Sequence, residues 1–159
     1  MMRSRPLLAL FLLLFMAGCQ SKPDPMKEPL VARFFLESRP GEAGVPQQLP
    51  VSGVGITVNP RAVFIESDIV DAELVRSNLG WCMRVRLTPA AARDLYRLSL
   101  ASIGQRLVLT FNGLPAGAGR IEQAMADGAL LIFVEVQDIN LPPLVERLKR
   151  TSADIAKRK

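Results

Sequence analysis

Three observations in this 159-residue chain predict an α+β domain of two layers, a mixed or antiparallel sheet with two helices on one face, behind a cleaved signal peptide. Trp81, Met83, Val85 and Leu87 alternate with Cys82, Arg84 and Arg86, the period of a strand with one buried face. Thr88, Pro89 and Gly104 then bracket a helix: a hydroxyl cap, a proline at the first position and a residue free to turn left-handed at the end. Leu141, Leu144, Val145, Leu148 and Ile155 recur at helical spacing, so a second helix, capped by Asn140, closes the chain.

The remaining elements follow in order. Leu30–Leu36 is rich in strand formers and stops at the turn signal Arg39-Pro40-Gly41, leaving 41–50 as loop. Val51–Val58 reads as a strand ended by Asn59-Pro60, and Ala62–Ile65 as a second short one. Glu66 to Val70 opens an acidic segment in which Ser67 or Asp68 caps a single helical turn. Ala91, Ala92, Leu95, Tyr96, Leu98 and Ile103 take the core side of the first helix, while Arg93, Asp94 and Arg97 face water. Arg106–Phe111 is a buried strand. Asn112-Gly113 is a turn pair, but 114–119 reads as a connection longer than a tight hairpin. Leu130–Val136 is the last strand.

Composition narrows the chemistry. With no histidine, the chain lacks the commonest general base and the most frequent nitrogen ligand of zinc. Arg3 and Arg5, the ten apolar residues 7–16, and the small Ala17 and Gly18 before Cys19 form a signal peptide. That apolar run rises about 15 Å as a helix, half of what a membrane span needs. Phe15-Met16-Ala17-Gly18-Cys19 resembles the lipobox of bacterial lipoproteins, with Met16 where leucine is usual. The resemblance implies cleavage before Cys19, lipid on its sulfur, and attachment to a membrane facing the periplasm. Gln20, in place of the aspartate that favours inner-membrane retention, implies the outer membrane. The predicted organisation is signal peptide 1–18, lipidated Cys19 and a proline-rich tether to 29, a domain over 30–150, and a basic tail over 151–159.

The net charge of +5 belongs to the ends. Two arginines leave with the signal peptide, and Arg147, Lys149, Arg150, Lys157, Arg158 and Lys159 crowd the carboxyl end, whereas 20–145 holds twelve basic against thirteen acidic residues. A neutral body argues against nucleic-acid binding. Lys149, Arg150, Lys157, Arg158 and Lys159 are candidates for an electrostatic contact with anionic lipid, peptidoglycan or an acidic partner; the alternative is a fraying, merely solvated terminus.

Ser67-Asp68-Ile69, Leu87-Thr88-Pro89, Gly104, Leu107-Val108-Leu109, Asn112-Gly113, Arg120-Ile121 and Gly128, in this order over about residues 64 to 150, resemble the first periplasmic domain of the SecD protein-export subunit. The resemblance implies a noncatalytic head that touches protein being exported. SecD's membrane helices are missing here, and the lipid on Cys19 stands in for them. The expected function is therefore protein or envelope binding, with no cofactor and no metal. The alternatives are an envelope enzyme of unrecognised type, with Cys82 as nucleophile and Arg84 and Arg86 as its only nearby cations, or a purely structural envelope protein. Gly113, Gly117 and Gly119 lack the setting and lysine of a phosphate cradle, and Glu66, Asp68, Asp71 and Glu73 lack the spacing of a calcium loop.

Overall fold

The computed structural model describes residues 28–158 except 79, 138 and 139. Strands β1 (Ala32–Glu37), β2 (Val45–Gln48), β3 (Gly55–Ile65), β4 (Ile69–Ser77) and β5 (Gly80–Leu87) precede helix α1 (Pro89–Ala101). Then come β6 (Arg106–Phe111), β7 (Leu114–Arg120), β8 (Ala129–Val134) and helix α2 (Leu141–Ala156). The eight strands form one sheet in the order β2-β3-β1-β6-β7-β8-β5-β4. Every adjacent pair is antiparallel, which decides between the two sheet types left open by the sequence.

Both helices cover one face. Leu95 of α1 and Val145 and Leu148 of α2 join one core with Phe34, Met83, Val85, Leu107, Leu109, Leu130 and Ile132. Phe34 meets Phe64 edge-on at 6.5 Å, a favoured aromatic geometry. The opposite face is divided. Hairpin β2–β3 curls across one half, burying Leu49, Ile56 and Val58 against Val108 with Phe35 and Ala118. Glu135, just past β8, holds the hairpin tip: its carboxylate accepts hydrogen bonds from the Val51 and Ser52 amides at 2.8 and 2.9 Å and from Ser52 Oγ at 2.6 Å. Among the described residues, no second layer of strands or helices covers the other half, over β8, β5 and β4.

Several expectations from sequence are corrected. The loop expected over 41–50 contains β2, an edge strand on which Pro46 leaves no inner ladder donor missing. Asn59-Pro60 does not end β3, because the register of β1 against β3 slips between Phe35↔Ala62 and Glu37↔Val58, and the proline sits in that irregularity. The acidic segment after Glu66 is one 3₁₀ turn followed by a full strand. A bulge between Ile69 and Asp71 shifts the alternation of β4 by one residue, which hides its period. Residues 114–119 form β7 directly after a two-residue turn, with Asn112 and Gly113 at φ +50° and +84°.

Gly117 belongs in a strand because β7 lies so close to β8 that a Cβ there would stand 2.9 Å from Val134 Cα. In α1, Tyr96 is exposed and Ser99 is buried, and Ile103 lies exposed beyond the end of the helix, so the apolar arc is narrower than expected. Thr88 Oγ1 accepts from the Ala91 amide at 3.3 Å as expected, whereas Asn140 makes no side-chain cap on α2. The helix also runs through the start of the expected tail to Ala156. Thr151 and Ser152 are buried, and Thr151 Oγ1 accepts from the Leu30 amide at 2.9 Å.

Candidate functional site

The uncovered half of the sheet is built by alternation. Asp71, Glu73 and Val75 of β4 stand opposite Arg86, Arg84 and Cys82 of β5, and Arg84 stands opposite Leu131 of β8. Inward neighbours such as Met83 and Ile132 fill the core, so these residues point away from the helices. Leu131 and Phe133 are 53% and 38% exposed, the price of a strand with both faces apolar but only one covered. Segment 122–127 walls this face, fixed to α1 by the Met125 amide donating to Ser99 Oγ at 2.9 Å. Between wall and sheet lies a cleft of about 480 Å³, lined by Val75, Arg84, Met125, Leu131 and Phe133 among others. Beside it, β4 is the last strand of the sheet, so among the described residues its outer backbone edge has no neighbouring strand.

The charged groups of β4 and β5 on this face are paired. Arg84 Nε donates to Glu73 Oε1 at 2.6 Å, and Arg86 Nη2 lies 2.9 Å from Asp71 Oδ2. Neither arginine serves Cys82. Its thiol is buried, donates to the Val75 carbonyl at 3.4 Å, and is pushed up in pKa by desolvation, so it stays protonated. The acidic residues of the imagined calcium loop are likewise dispersed. Asp68 Oδ2 accepts from the Ile65 amide at 3.0 Å, closing the 3₁₀ turn, while Asp71 and Glu73 serve the arginines of β5. Among the described residues no group of three or more metal-ligating side chains converges. Gly113, Gly117 and Gly119 lie in the turn and strand of the β6–β7 hairpin.

The basic candidates separate into two places. Lys149 Nζ lies 3.7 Å from Asp71 Oδ1 and 3.6 Å from Glu146 Oε1, on the β4 side of α2. Arg150 and Arg158, with Arg147, line a smaller cavity where residues 28 and 29 enter the fold. Lys157 is exposed at the helix end, and Lys159 and Cys19 lie outside the described residues. Leu131 and Phe133 escaped sequence reasoning, because an uninterrupted apolar run reads as a strand buried on both faces.

No family model matches the chain, and neither does any curated protein sequence. Solved structures do. The fold is similar to that of SecDF, described as a membrane component that enhances protein export, at TM-score 0.58 and 16% identity over 77% of this chain and 63% of that one. SecDF in a super-membrane-facing form matches at TM-score 0.59 and 18% identity over 75% of this chain. SecDF from Thermus thermophilus, a translocon-associated membrane protein, matches at 0.51 and 17% over 80%. The chain spans 63%, 18% and 20% of the lengths of these three. The class defined is thus an α+β domain whose fold is similar to part of SecDF. Among the described residues no helix is long and apolar enough to cross a membrane.

Proposed function

We propose that this chain is a noncatalytic, lipid-anchored head at the periplasmic side of the outer membrane that binds extended segments of other proteins. The observation that carries this reading is the uncovered sheet half, where exposed Leu131 and Phe133 line a cleft beside the open edge of β4. An extended chain suits such a surface: its backbone extends the sheet while alternate side chains occupy the apolar cleft. Likeness in fold to SecDF, a component that enhances protein export, supports exported polypeptides as the ligand class. The lipobox-like run ending at Cys19 supports the anchor, and Gln20 supports the outer membrane.

Binding is tested by fluorescence anisotropy with a labelled, permanently unfolded polypeptide. Leu131→Glu should weaken binding at least tenfold while the melting temperature holds, since that side chain is outside the core. Equal binding by parent and variant refutes the site. For the anchor, Cys19→Ser should leave a soluble or an uncleaved protein, because multiple acyl chains supply far more than the marginal hold of one; membrane fractionation and mass both unchanged from the parent refute the anchor.

A further inference from the structure

Residues 28 and 29 enter the fold against the last turns of α2, and a cavity of about 170 Å³ opens at that seam. From α2 it is lined by Arg147, Arg150 and Asp154, which helical spacing places on one face, and just beyond the helix by Arg158; Glu28 and Glu66 line it from other segments. Three guanidinium groups and three carboxylates thus share one small space. Their charges balance, yet two buried polar atoms on these residues lack partners: Arg147 Nε needs an acceptor and Glu66 Oε2 needs a donor. Burying such groups unmatched is costly, and a simple anion would relieve only the first. A ligand carrying both a phosphate and a primary ammonium a short distance apart relieves both.

We propose that this cavity holds the phosphoethanolamine headgroup of a membrane phospholipid, its phosphate on the arginines and its ammonium on Glu66. Guanidinium forks match phosphate oxygens, and a primary ammonium offers N–H donors that a choline headgroup lacks. The choice of a membrane lipid over a soluble zwitterion rests on the lipid-anchor reading. Cys19 is nine residues before Glu28, so a fully extended tether keeps the cavity within about 32 Å of the anchored lipid. The headgroup would orient the domain with the α2 end toward the bilayer and leave the β8–β4 cleft on a separate face.

The test uses the chain from residue 19 onward carrying Cys19→Ser, without the apolar segment 1–18, so that docking is measured without an anchor. It is floated with vesicles of phosphatidylcholine alone, or doped with phosphatidylethanolamine or with phosphatidylglycerol. The expected result is about tenfold tighter binding to the ethanolamine vesicles than to choline alone, equivalent to one carboxylate-ammonium hydrogen bond. Glu66→Gln should abolish that preference. Arg158→Gln, at an exposed position just beyond α2 where folding is not at risk, should lower binding to the ethanolamine vesicles about fivefold. Competition by soluble glycerophosphoethanolamine supports headgroup recognition. Equal binding to ethanolamine and choline vesicles overturns the proposal, as does stronger binding to the phosphatidylglycerol vesicles that is indifferent to Glu66. Acylation of the native protein is read separately from its mass, so failure of the anchor and failure of the docking site are distinguishable.

Discussion

Glu37, at the end of β1, grips Arg106, at the start of β6, through backbone and side chain together. Glu37 Oε2 accepts from the Arg106 amide at 2.8 Å and from Arg106 Nε at 2.9 Å, while Oε1 takes Nη2. The pair sits at the end of the β1–β6 ladder, just beyond Leu36↔Leu107, so it closes the sheet where two strands distant in sequence meet.

The Arg106 side-chain hydrogen bond holds the Glu37 carboxyl below the usual carboxylate range, against the opposing effect of burial. A carboxylate with a lowered folded-state pKa adds stability above its unfolded pKa and loses it as pH falls through the folded value. Glu37→Gln should therefore cost about 1 kcal/mol at neutral pH, a value tempered by partial exposure. The gap to the parent should close as pH falls through and below the ordinary carboxylate range. Thermal melts across that range check it; a gap independent of pH would assign the loss to geometry and not to charge.

Leu95→Asp should unfold the domain or lower its stability by several kcal/mol, because Leu95 is fully buried between helix and sheet. Arg93→Ala, on the wet face of α1, should change stability by about half a kcal/mol or less. Circular dichroism melts of both variants decide the matter, and similar melting temperatures would mean that α1 is turned otherwise.

At Gly117 an added methyl would press on the backbone of Phe133 and Val134, atoms that cannot swing aside as a side-chain tip would. Gly117→Ala should cost about 2 kcal/mol by forcing β7 from β8. Gly113→Ala meets no neighbouring atom and should cost only about 1 kcal/mol for its positive φ. Chemical denaturation of the two variants should rank them in that order.

Cys82 should react with a thiol reagent far more slowly in the native protein than in denaturant, at least about a hundredfold, because reaction needs both exposure and deprotonation. Comparable rates in the two conditions would show a thiol open to solvent and would revive a chemical role for it.

Much of this architecture is legible where local signals agree. The strand ending at Leu87, the Thr88 cap and the apolar faces of α1 and α2 need only nearest neighbours to declare themselves. The elements that escape are those whose conformation is set by distant chain. β4 hides behind its bulge, β2 is a strand only because β3 lies beside it, and β7 reads as loop because its glycines answer to the proximity of β8. The candidate site escapes for a related reason. Leu131 and Phe133 are exposed because hairpin β2–β3 covers one half of the outer face and stops, a fact written in no local pattern. The basic residues near the carboxyl end were recognisable as a group, but their division between Asp71 and the cavity at residues 28 and 29 depends on the phase of α2.

The hydrogen bond from the Leu30 amide to Thr151 Oγ1 joins residues 121 positions apart. A chain made from its amino terminus exposes Leu30 long before Thr151 exists, so the entrance to the domain is the last part to be sealed. Until α2 docks, the approach to β1 lacks its final clasp. The same bond makes the carboxyl-terminal turns a closing bolt: a stop codon at position 151 would leave every described strand intact and the doorway ajar.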